Sequence, residues 1–283
     1  MARPRELTLE WRGLKVAALA WGSEDQPKVL ALHGWMDNAA SFIPLASRLS
    51  GLHIVALDFV GHGRSDHRPH SCGAHFIDWV ADVLGLVEAL GWKDFSILGH
   101  SMGAAIGAQT AAVAPDAIQR LILLDGFGPL SDPAEEAPAR LAKALDAERR
   151  QKTTEDSPCR SLEAAVKARM RSGADLTPEA ARLLVERGTE PCSEGVRFRH
   201  DPRLKLPSRT RLTEEQVLAF LQGVTCPVLA VRPKGGWPVP EDIINRRLGA
   251  FTDLKRLEVE GGHHVHLTHP ERVAEAVSGF LAR

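Results

Sequence analysis

One ten-residue stretch decides the fold of this chain: Asp94-Phe95-Ser96-Ile97-Leu98-Gly99-His100-Ser101-Met102-Gly103. Its apolar part, residues 95–98, is short and uninterrupted, which is typical of a buried strand. A Gly-x-Ser-x-Gly turn follows, and the alanine-rich segment 104–108 after it favours a helix. Strand, tight turn and helix in this order, with a serine at the apex, are the context in which a nucleophile elbow forms.

The two glycines of the turn have a steric role. A serine at so sharp a turn has strained backbone angles, and bulky neighbours would collide with the strand and the helix beside it. Gly99 and Gly103 have no Cβ and so remove that collision. The turn exposes the Ser101 hydroxyl, and the N–H of Met102 points to where a negatively charged oxygen would develop. Ser101 is therefore the candidate nucleophile.

The composition is that of an ordinary globular protein, with 44% apolar and 25% charged residues among 283. This length predicts one large domain, or a domain that carries an insert. The formal net charge of −1 gives no indication of a nucleic-acid or membrane-surface partner. The N-terminus leads into no apolar segment and no stretch approaches a membrane span, so we expect no signal peptide and a cytoplasmic location.

The cysteines give no indication of a metal site. Cys72, Cys159, Cys192 and Cys226 are scattered, without the spacing of metal ligands. Reduced thiols are the default state of such cysteines in a cytoplasmic protein. The sequence predicts neither a metal nor a cofactor.

Short apolar runs alternate with helical patterns along most of the chain. An opening hairpin is predicted from residues 7–9 and 16–21, and a final helix over 270–281. Buried strands are predicted at residues 29–32, 54–57, 121–124 and 228–231, a further strand at 254–259, and helices over 41–49, 76–90 and 241–248. This alternation predicts an α/β protein with a mostly parallel central sheet and helices on both faces.

The alternation is interrupted between residues 128 and 222. This segment carries charge-rich helical patterns over 135–151, 161–171, 178–186 and 213–221, and it has no comparable buried strand. We predict that residues 1–127 and 223–283 form the α/β core and that 128–222 are an inserted helical cap. An insert that enters at the carboxyl edge of the sheet would form a lid over any site there.

A nucleophilic serine needs a base, and histidine is the usual one. The loop after the last predicted strand contains His263, His264 and His266, and it reaches the same edge of the sheet as Ser101. His263 follows a glycine pair and agrees with the chain order of this motif class, in which the histidine comes last. For His264, His266 and His269 the expectation is ordinary loop polarity and helix entry. A metal site built from this cluster lacks acidic or cysteine partners at ligand spacing.

The chain resembles the α/β-hydrolase-fold serine hydrolases, and most closely the serine hydrolase-like, or Kraken-like, proteins. The resemblance rests on four features: His33-Gly34-Trp35-Met36-Asp37-Asn38, Asp58-Phe59-Val60-Gly61-His62-Gly63-Arg64-Ser65, the elbow, and Gly262-His263. It implies that Ser101 is the nucleophile and His263 the general base and acid. It also implies that the backbone N–H groups of Trp35 and Met102 form the oxyanion hole. Asp58 is expected to bond the amides of its own loop.

The third member of a triad is where the chain departs from the family. The usual acid follows the strand at 228–231, but residues 232–238 contain no carboxylate. The imidazole needs an acceptor on Nδ1 that fixes its tautomer and stabilises its charged form. Asp125 lies at an alternative position used by some family members, Glu241 comes slightly later and starts a predicted helix, and a dyad without an acid is the third alternative.

A serine nucleophile restricts the types of reaction that the chain can catalyse. Related haloalkane dehalogenases and epoxide hydrolases have an aspartate where Ser101 stands, and the tyrosines that assist epoxide opening are missing, because the chain has none. The resemblance therefore implies hydrolysis of a small-molecule acyl ester or thioester through an acyl-enzyme. The rival hypothesis is a catalytically weak member that acts as a small-molecule binding or receptor protein.

Overall fold

The computed structural model describes residues 3–69, 72–73, 75–151, 157–172 and 176–282. In chain order its strands are β1 (Arg5–Trp11), β2 (Leu14–Trp21), β3 (Lys28–Leu32), β4 (His53–Leu57), β5 (Phe95–His100), β6 (Ile118–Leu124), β7 (Thr189–Cys192), β8 (Gly195–Phe198), β9 (Val228–Gly235) and β10 (Leu254–Gly262). Eight of them form one sheet in the order β1-β2-β4-β3-β5-β6-β9-β10. Neighbours from β4 to β10 are parallel, and β2 is antiparallel to both β1 and β4. The predicted mostly parallel sheet is confirmed.

The described helices are α1 (Ile43–Ala46), α2 (Asp78–Ala89), α3 (Met102–Val113), α4 (Ala137–Arg150), α5 (Leu162–Ser172), α6 (Pro178–Gly188), α7 (Glu214–Gln222), α8 (Glu241–Gly249), α9 (Val265–Thr268) and α10 (Pro270–Leu281). Helices α2, α3, α7 and α8 cover one face of the sheet, and α1, α9 and α10 cover the other. Leu30 and Leu32 of β3 pack with α2, α3, α7 and α8, whereas Val29 and Ala31 pack with α1 and α10. Successive side chains of a strand point to opposite faces, so an uninterrupted apolar run fills both layers of the core.

The helix predicted over 41–49 is shorter than expected. The chain forms a 3₁₀ turn from Ala39 to Phe42, capped by the Asn38 side chain, and then the single turn of α1. Pro44 lies at the start of α1 and has no N–H, so it cannot bond back into the preceding turn.

The inserted segment contains more than helices. Helices α5 and α6 enclose a small apolar cluster of their own, which includes Val166, Leu184 and, from the sheet side, Leu267. Strands β7 and β8 form a hairpin that the sequence did not predict, because its residues are only half-buried and one of them is Pro191. At the end of the segment, α7 packs on the main core. The division at residues 222 and 223 remains a prediction.

The insert contacts the loops that follow the parallel strands. The Asn38 side chain donates to the carbonyl of Leu184 at 2.8 Å, and the N–H of Asp201 donates to the carbonyl of Gly61, also at 2.8 Å. These contacts hold the segment at the carboxyl edge of the sheet, where ligand crevices of open α/β sheets lie. Among the helices described, none is both long and apolar enough to cross a membrane.

Candidate active site

The turn between β5 and α3 has the strained geometry that its sequence predicts. Ser101 has φ 51° and ψ −114°, an unusual conformation for a residue with a side chain. A Cβ on Gly103 would lie 2.0 Å from the carbonyl oxygen of Leu32, and one on Gly99 would lie 2.5 Å from the Cα of Ala104. Only glycine is compatible with these distances, so the turn depends on both positions.

Ser101, His263 and Asp125 form a continuous chain of hydrogen bonds. The Ser101 Oγ lies 3.0 Å from His263 Nε2, and His263 Nδ1 lies 2.5 Å from Asp125 Oδ2. His263 and Asp125 are both more than nine-tenths buried. The structure thus brings together three side chains that are far apart in the sequence, with 162 positions between Ser101 and His263. A hydroxyl, an imidazole and a carboxylate in this order are the groups of nucleophilic acyl transfer.

Asp125 is held by the loop that follows β9. The residue directly follows β6 with φ 45°, and its Oδ2 accepts the backbone N–H of Trp237 at 2.7 Å. A Cβ on Gly236 would approach Asp125 Oδ1 to 2.5 Å, so the absence of a side chain there lets the loop close on the carboxylate. A carboxylate that accepts a backbone N–H has a fixed orientation, which here is toward His263.

Glu241 lies outside this arrangement. It is in the first turn of α8, and both of its carboxylate oxygens pair with the Arg232 guanidinium, at 2.8 and 2.6 Å. The two side chains are largely exposed, so this is a surface ion pair. Of the acids considered from the sequence, Asp125 is the one in contact with His263.

The predicted oxyanion donors lie on the loops after two neighbouring strands. Met102 begins α3, a 12-residue helix, so its N–H is one of the unpaired donors at a helix start. Trp35 follows Gly34 in the loop after β3, and β3 pairs with β5. His33 shapes that loop, because its Nδ1 bonds the Gly34 carbonyl at 2.7 Å and its Nε2 accepts the Phe59 N–H at 3.0 Å. Burial lowers the pKa of His33, so this ring is neutral and its proton lies on Nδ1.

Two exposed indoles lie at the same edge. The Trp35 ring is half-exposed, and its Nε1–H donates to the Leu204 carbonyl of the insert at 3.2 Å. The Trp237 ring is also half-exposed, and its centre lies 5.3 Å from that of His263. Large aromatic side chains of this kind are common beside small-molecule sites.

Asp58 bonds its own loop, as predicted. Its Oδ1 accepts the N–H of Ala39 at 2.7 Å, and its Oδ2 accepts that of Arg64 at 2.8 Å. The carboxylate also accepts Arg187 Nε from α6, at 2.9 and 3.0 Å, and it is fully buried. Asp58 therefore ties the insert to the loops after β3 and β4.

His264 and His266 enter the short helix α9 as expected, but the expectation of ordinary loop polarity was wrong. Both rings are buried beside His100, with ring centres 5.2 and 4.2 Å from it. Burial lowers the pKa of His266 to about 3 and holds that of His100 well below its ordinary value, so both rings are neutral near pH 7.

The sequence also did not single out Asp37 or Arg169. Asp37 is buried next to His264, and its Oδ1 accepts Arg169 Nη2 at 2.6 Å from α5. Within the part of the chain that the structure describes, no three histidine, cysteine or acidic side chains are arranged to hold a metal ion.

Comparisons with known proteins agree with this architecture. Residues 27–270 match a family model described as the alpha/beta hydrolase fold. A serine hydrolase-like protein of Dictyostelium discoideum is 34% identical over 95% of this chain and 79% of its own length. The crystal structure of a hypothetical protein from Pseudomonas aeruginosa PAO1 superposes with a TM-score of 0.93 at 42% identity, covering 98% of this chain and 99% of the other. A thioesterase domain from the curacin biosynthetic pathway gives a TM-score of 0.86 at 25% identity, over 98% of this chain and 99% of that domain.

Proposed function

The chain belongs to the α/β-hydrolase family, and on this premise we propose that it is a serine hydrolase that cleaves a small acyl ester or thioester. In this proposal Ser101 is the nucleophile, His263 the general base and acid, and Asp125 the acid of the triad. Backbone N–H groups of Trp35 and Met102 form the oxyanion hole. The observation that carries the proposal is the bonded chain from Ser101 Oγ through His263 to Asp125, at 3.0 and 2.5 Å.

Acylation begins at the Ser101 hydroxyl. His263 Nε2 takes the hydroxyl proton as the oxygen attacks the substrate carbonyl carbon. The carbonyl oxygen becomes negative and accepts hydrogen bonds from the two backbone donors. His263 then gives the proton to the leaving alcohol or thiol, the carbonyl–leaving-group bond breaks, and an acyl group remains on Ser101.

Deacylation repeats these steps with water. His263 removes a proton from a water molecule that attacks the acyl carbon, and the same proton returns to Ser101 as the carboxylic acid leaves. Through both halves the imidazole becomes positively charged, and Asp125 beside Nδ1 stabilises that charge and fixes the tautomer. Apart from the substrate and water, no group outside the chain is required for the proton balance.

The size of the substrate would depend on a cap over the site. We propose that residues 128–222 cap the site, since Leu204 and Leu184 of this segment bond the loop that carries Trp35 and Asn38. A cap at this edge excludes water from the reacting groups and favours small acyl chains. The similarity to a thioesterase domain keeps thioesters among the expected substrates.

The experiment that tests the proposal is covalent labelling of Ser101. A fluorophosphonate probe reacts with a serine that is both activated and next to oxyanion donors. We expect one adduct, mapped to the peptide that contains Ser101, and no adduct in His263→Ala. Folded protein that stays unlabelled at saturating probe would contradict the proposal.

The alternative is a catalytically weak member that acts as a small-molecule binding protein, and its basis is the segment 232–238, which contains no carboxylate. The position of Asp125, 2.5 Å from His263 Nδ1, favours the hydrolase.

A further inference from the structure

A buried ion network lies against residues 263–267, here called the histidine loop. Asp37 is at the centre of this network. The Asp37 side chain is 1% exposed, and Oδ1 accepts a hydrogen bond from Arg169 Nη2 at 2.6 Å. Its other oxygen, Oδ2, lies 3.3 Å from His264 Nε2 and 3.7 Å from His100 Nδ1. A single carboxylate therefore touches the insert, the histidine loop and the elbow.

Each histidine in this network is the chain neighbour of a reacting group. His100 directly precedes Ser101, and His264 directly follows His263. The Nε2–H of His100 also donates to the backbone carbonyl of His263 at 2.9 Å. Through bonds and contacts of this length, a displacement of the Asp37 carboxylate moves the backbone on both sides of the Ser101–His263 hydrogen bond.

Space around the carboxylate is closely filled. A Cβ on Gly34 would lie 3.0 Å from His100 Nδ1 and 3.1 Å from Asp37 Oδ2. Gly34 immediately precedes Trp35, so the same carboxylate also packs against the loop of the oxyanion donor. Atoms packed this closely transmit a shift rather than absorb it.

The charge of Asp37 depends on the insert. Burial by itself would raise the pKa of Asp37, but the charges of His264 and Arg169 outweigh burial and hold that pKa well below its ordinary value. A buried carboxylate is unfavourable unless an opposite charge is beside it. Arg169 lies on α5, so the docked position of this helix, together with His264, favours the ionised form of Asp37.

We propose that Asp37 is a positioning residue that couples docking of α5 to the orientation of His263 and Ser101. The inference rests on the proposed function of these two residues as base and nucleophile. Fast reaction at Ser101 then depends on the Arg169–Asp37 pair, which lies against His264 and packs against His100, even though neither member touches the reacting atoms. A misplacement of about 1 Å at a reacting group reduces rates about 100-fold.

The chain offers a matched control in a second buried pair. Arg187 of α6 bonds Asp58 at 2.9 and 3.0 Å, with side-chain exposures of 5% and 0%. This pair also joins the insert to the core, and the other side-chain bonds of Asp58 go to the N–H groups of Ala39 and Arg64. The two pairs thus share burial and charge but differ in their contact with the histidine loop.

The test compares unfolding by urea with the first-order rate of Ser101 labelling at saturating fluorophosphonate. Asp37→Asn removes the carboxylate charge beside Arg169, and Arg169→Met removes the guanidinium beside Asp37, so we expect both to unfold at lower urea. The double variant removes both charges of the pair, and we expect it to recover most of that loss. We expect labelling to remain about 10- to 100-fold slower than in the parent in all three variants.

In the control variant, we expect stability to fall while the labelling rate stays close to that of the parent. Arg187→Met is expected to unfold at lower urea but to label within about twofold of the parent rate. If it slows labelling as much as Arg169→Met does, general loosening of the insert explains the effect and the coupling is refuted. A double variant that recovers the parent labelling rate together with its stability would show that Asp37 is only structural.

A further variant keeps the test valid if the double variant does not fold. His264→Phe retains a ring but removes Nε2, and it leaves the Arg169–Asp37 bond in place. We expect the same slow labelling, and a parent rate would overturn the inference. A parent protein that is not labelled at all would instead overturn the proposed function itself.

Discussion

Replacing Asp125 by asparagine separates the charge of the proposed triad acid from its shape. Two donors, the Trp237 N–H at 2.7 Å and His263 Nδ1 at 2.5 Å, converge on the single atom Oδ2. In Asp125→Asn the amide oxygen can accept from both donors only at the position of Oδ2. The NH2 group therefore occupies the position of Oδ1. His263 then keeps its tautomer, and what is lost is the negative charge beside the imidazolium.

The size of that loss follows from the distance between the two groups. For unit charges about 4 Å apart at an effective dielectric constant of about 20, the attraction is about 4 kcal/mol. This corresponds to a rate about 1,000-fold lower, because each 1.36 kcal/mol is a factor of about ten. If the amide turns and the tautomer is also lost, the expected reduction is about 10,000-fold.

The assay is hydrolysis of p-nitrophenyl butyrate, measured with the labelling rate on the same preparation. Glu241→Gln is the control, because it removes a carboxylate from an exposed pair with Arg232. We expect the control to keep parent turnover and to lose little stability. If folded Asp125→Asn hydrolyses the ester within threefold of the parent, Asp125 is not the acid that serves His263.

Three further substitutions test the surroundings of the site. Gly103→Ala places a Cβ 2.0 Å from the Leu32 carbonyl oxygen, so we expect insoluble protein or a loss of about 3 kcal/mol in urea unfolding. Gly236→Ala places one 2.5 Å from Asp125 Oδ1, and ester turnover should fall at least about tenfold while the urea midpoint changes little. The pKa of His266 is about 3 when folded and about 6.5 when unfolded, so the unfolded chain binds one more proton between these values. Stability therefore falls as the pH falls through this range, and in His266→Phe its slope against pH should be flatter by about 1.4 kcal/mol per pH unit; an unchanged slope would mean that this ring is charged in the folded protein.

The parallel sheet was predictable because its strands follow a local rule. A strand that is covered on both faces must be apolar at every position, and β4 and β5 are buried throughout their length. The elbow was predictable because its Gly-x-Ser-x-Gly pattern stands between a strand pattern and a helix pattern. The collision at Gly99 is with Ala104, which is near in the chain, whereas the collision at Gly103 is with Leu32 of the adjoining strand β3.

The choice of acid could not be made from the sequence alone. Asp125 and Glu241 both lie near strand ends, and what distinguishes them is a partner in each case. Glu241 pairs with Arg232, nine residues away, whereas Asp125 receives a backbone N–H from Trp237, 112 residues away. Contacts of the second kind depend on how two loops meet after folding.

The buried histidines were missed because polarity is a poor guide to burial when partners are available. A histidine in a loop is ordinarily exposed, but His264 lies against Asp37, and Asp37 is compensated by Arg169 from the insert. Each member is acceptable inside the protein only because the others are present. The pairing joins three segments that are separate in sequence, so no local pattern predicts it.

The position of the acid has a simple geometric explanation. Asp125 directly follows β6, Arg232 lies within β9, and the preceding residues Leu124 and Val231 are paired in register. Adjacent strands are about 4.8 Å apart, so positions 125 and 232 are two neighbouring places for a carboxylate. In this chain the loop after β9 has no acid, but it folds over the end of β6 and gives its Trp237 N–H to Asp125. The imidazole requires a fixed negative charge at Nδ1, and two adjacent strands can supply it equally well.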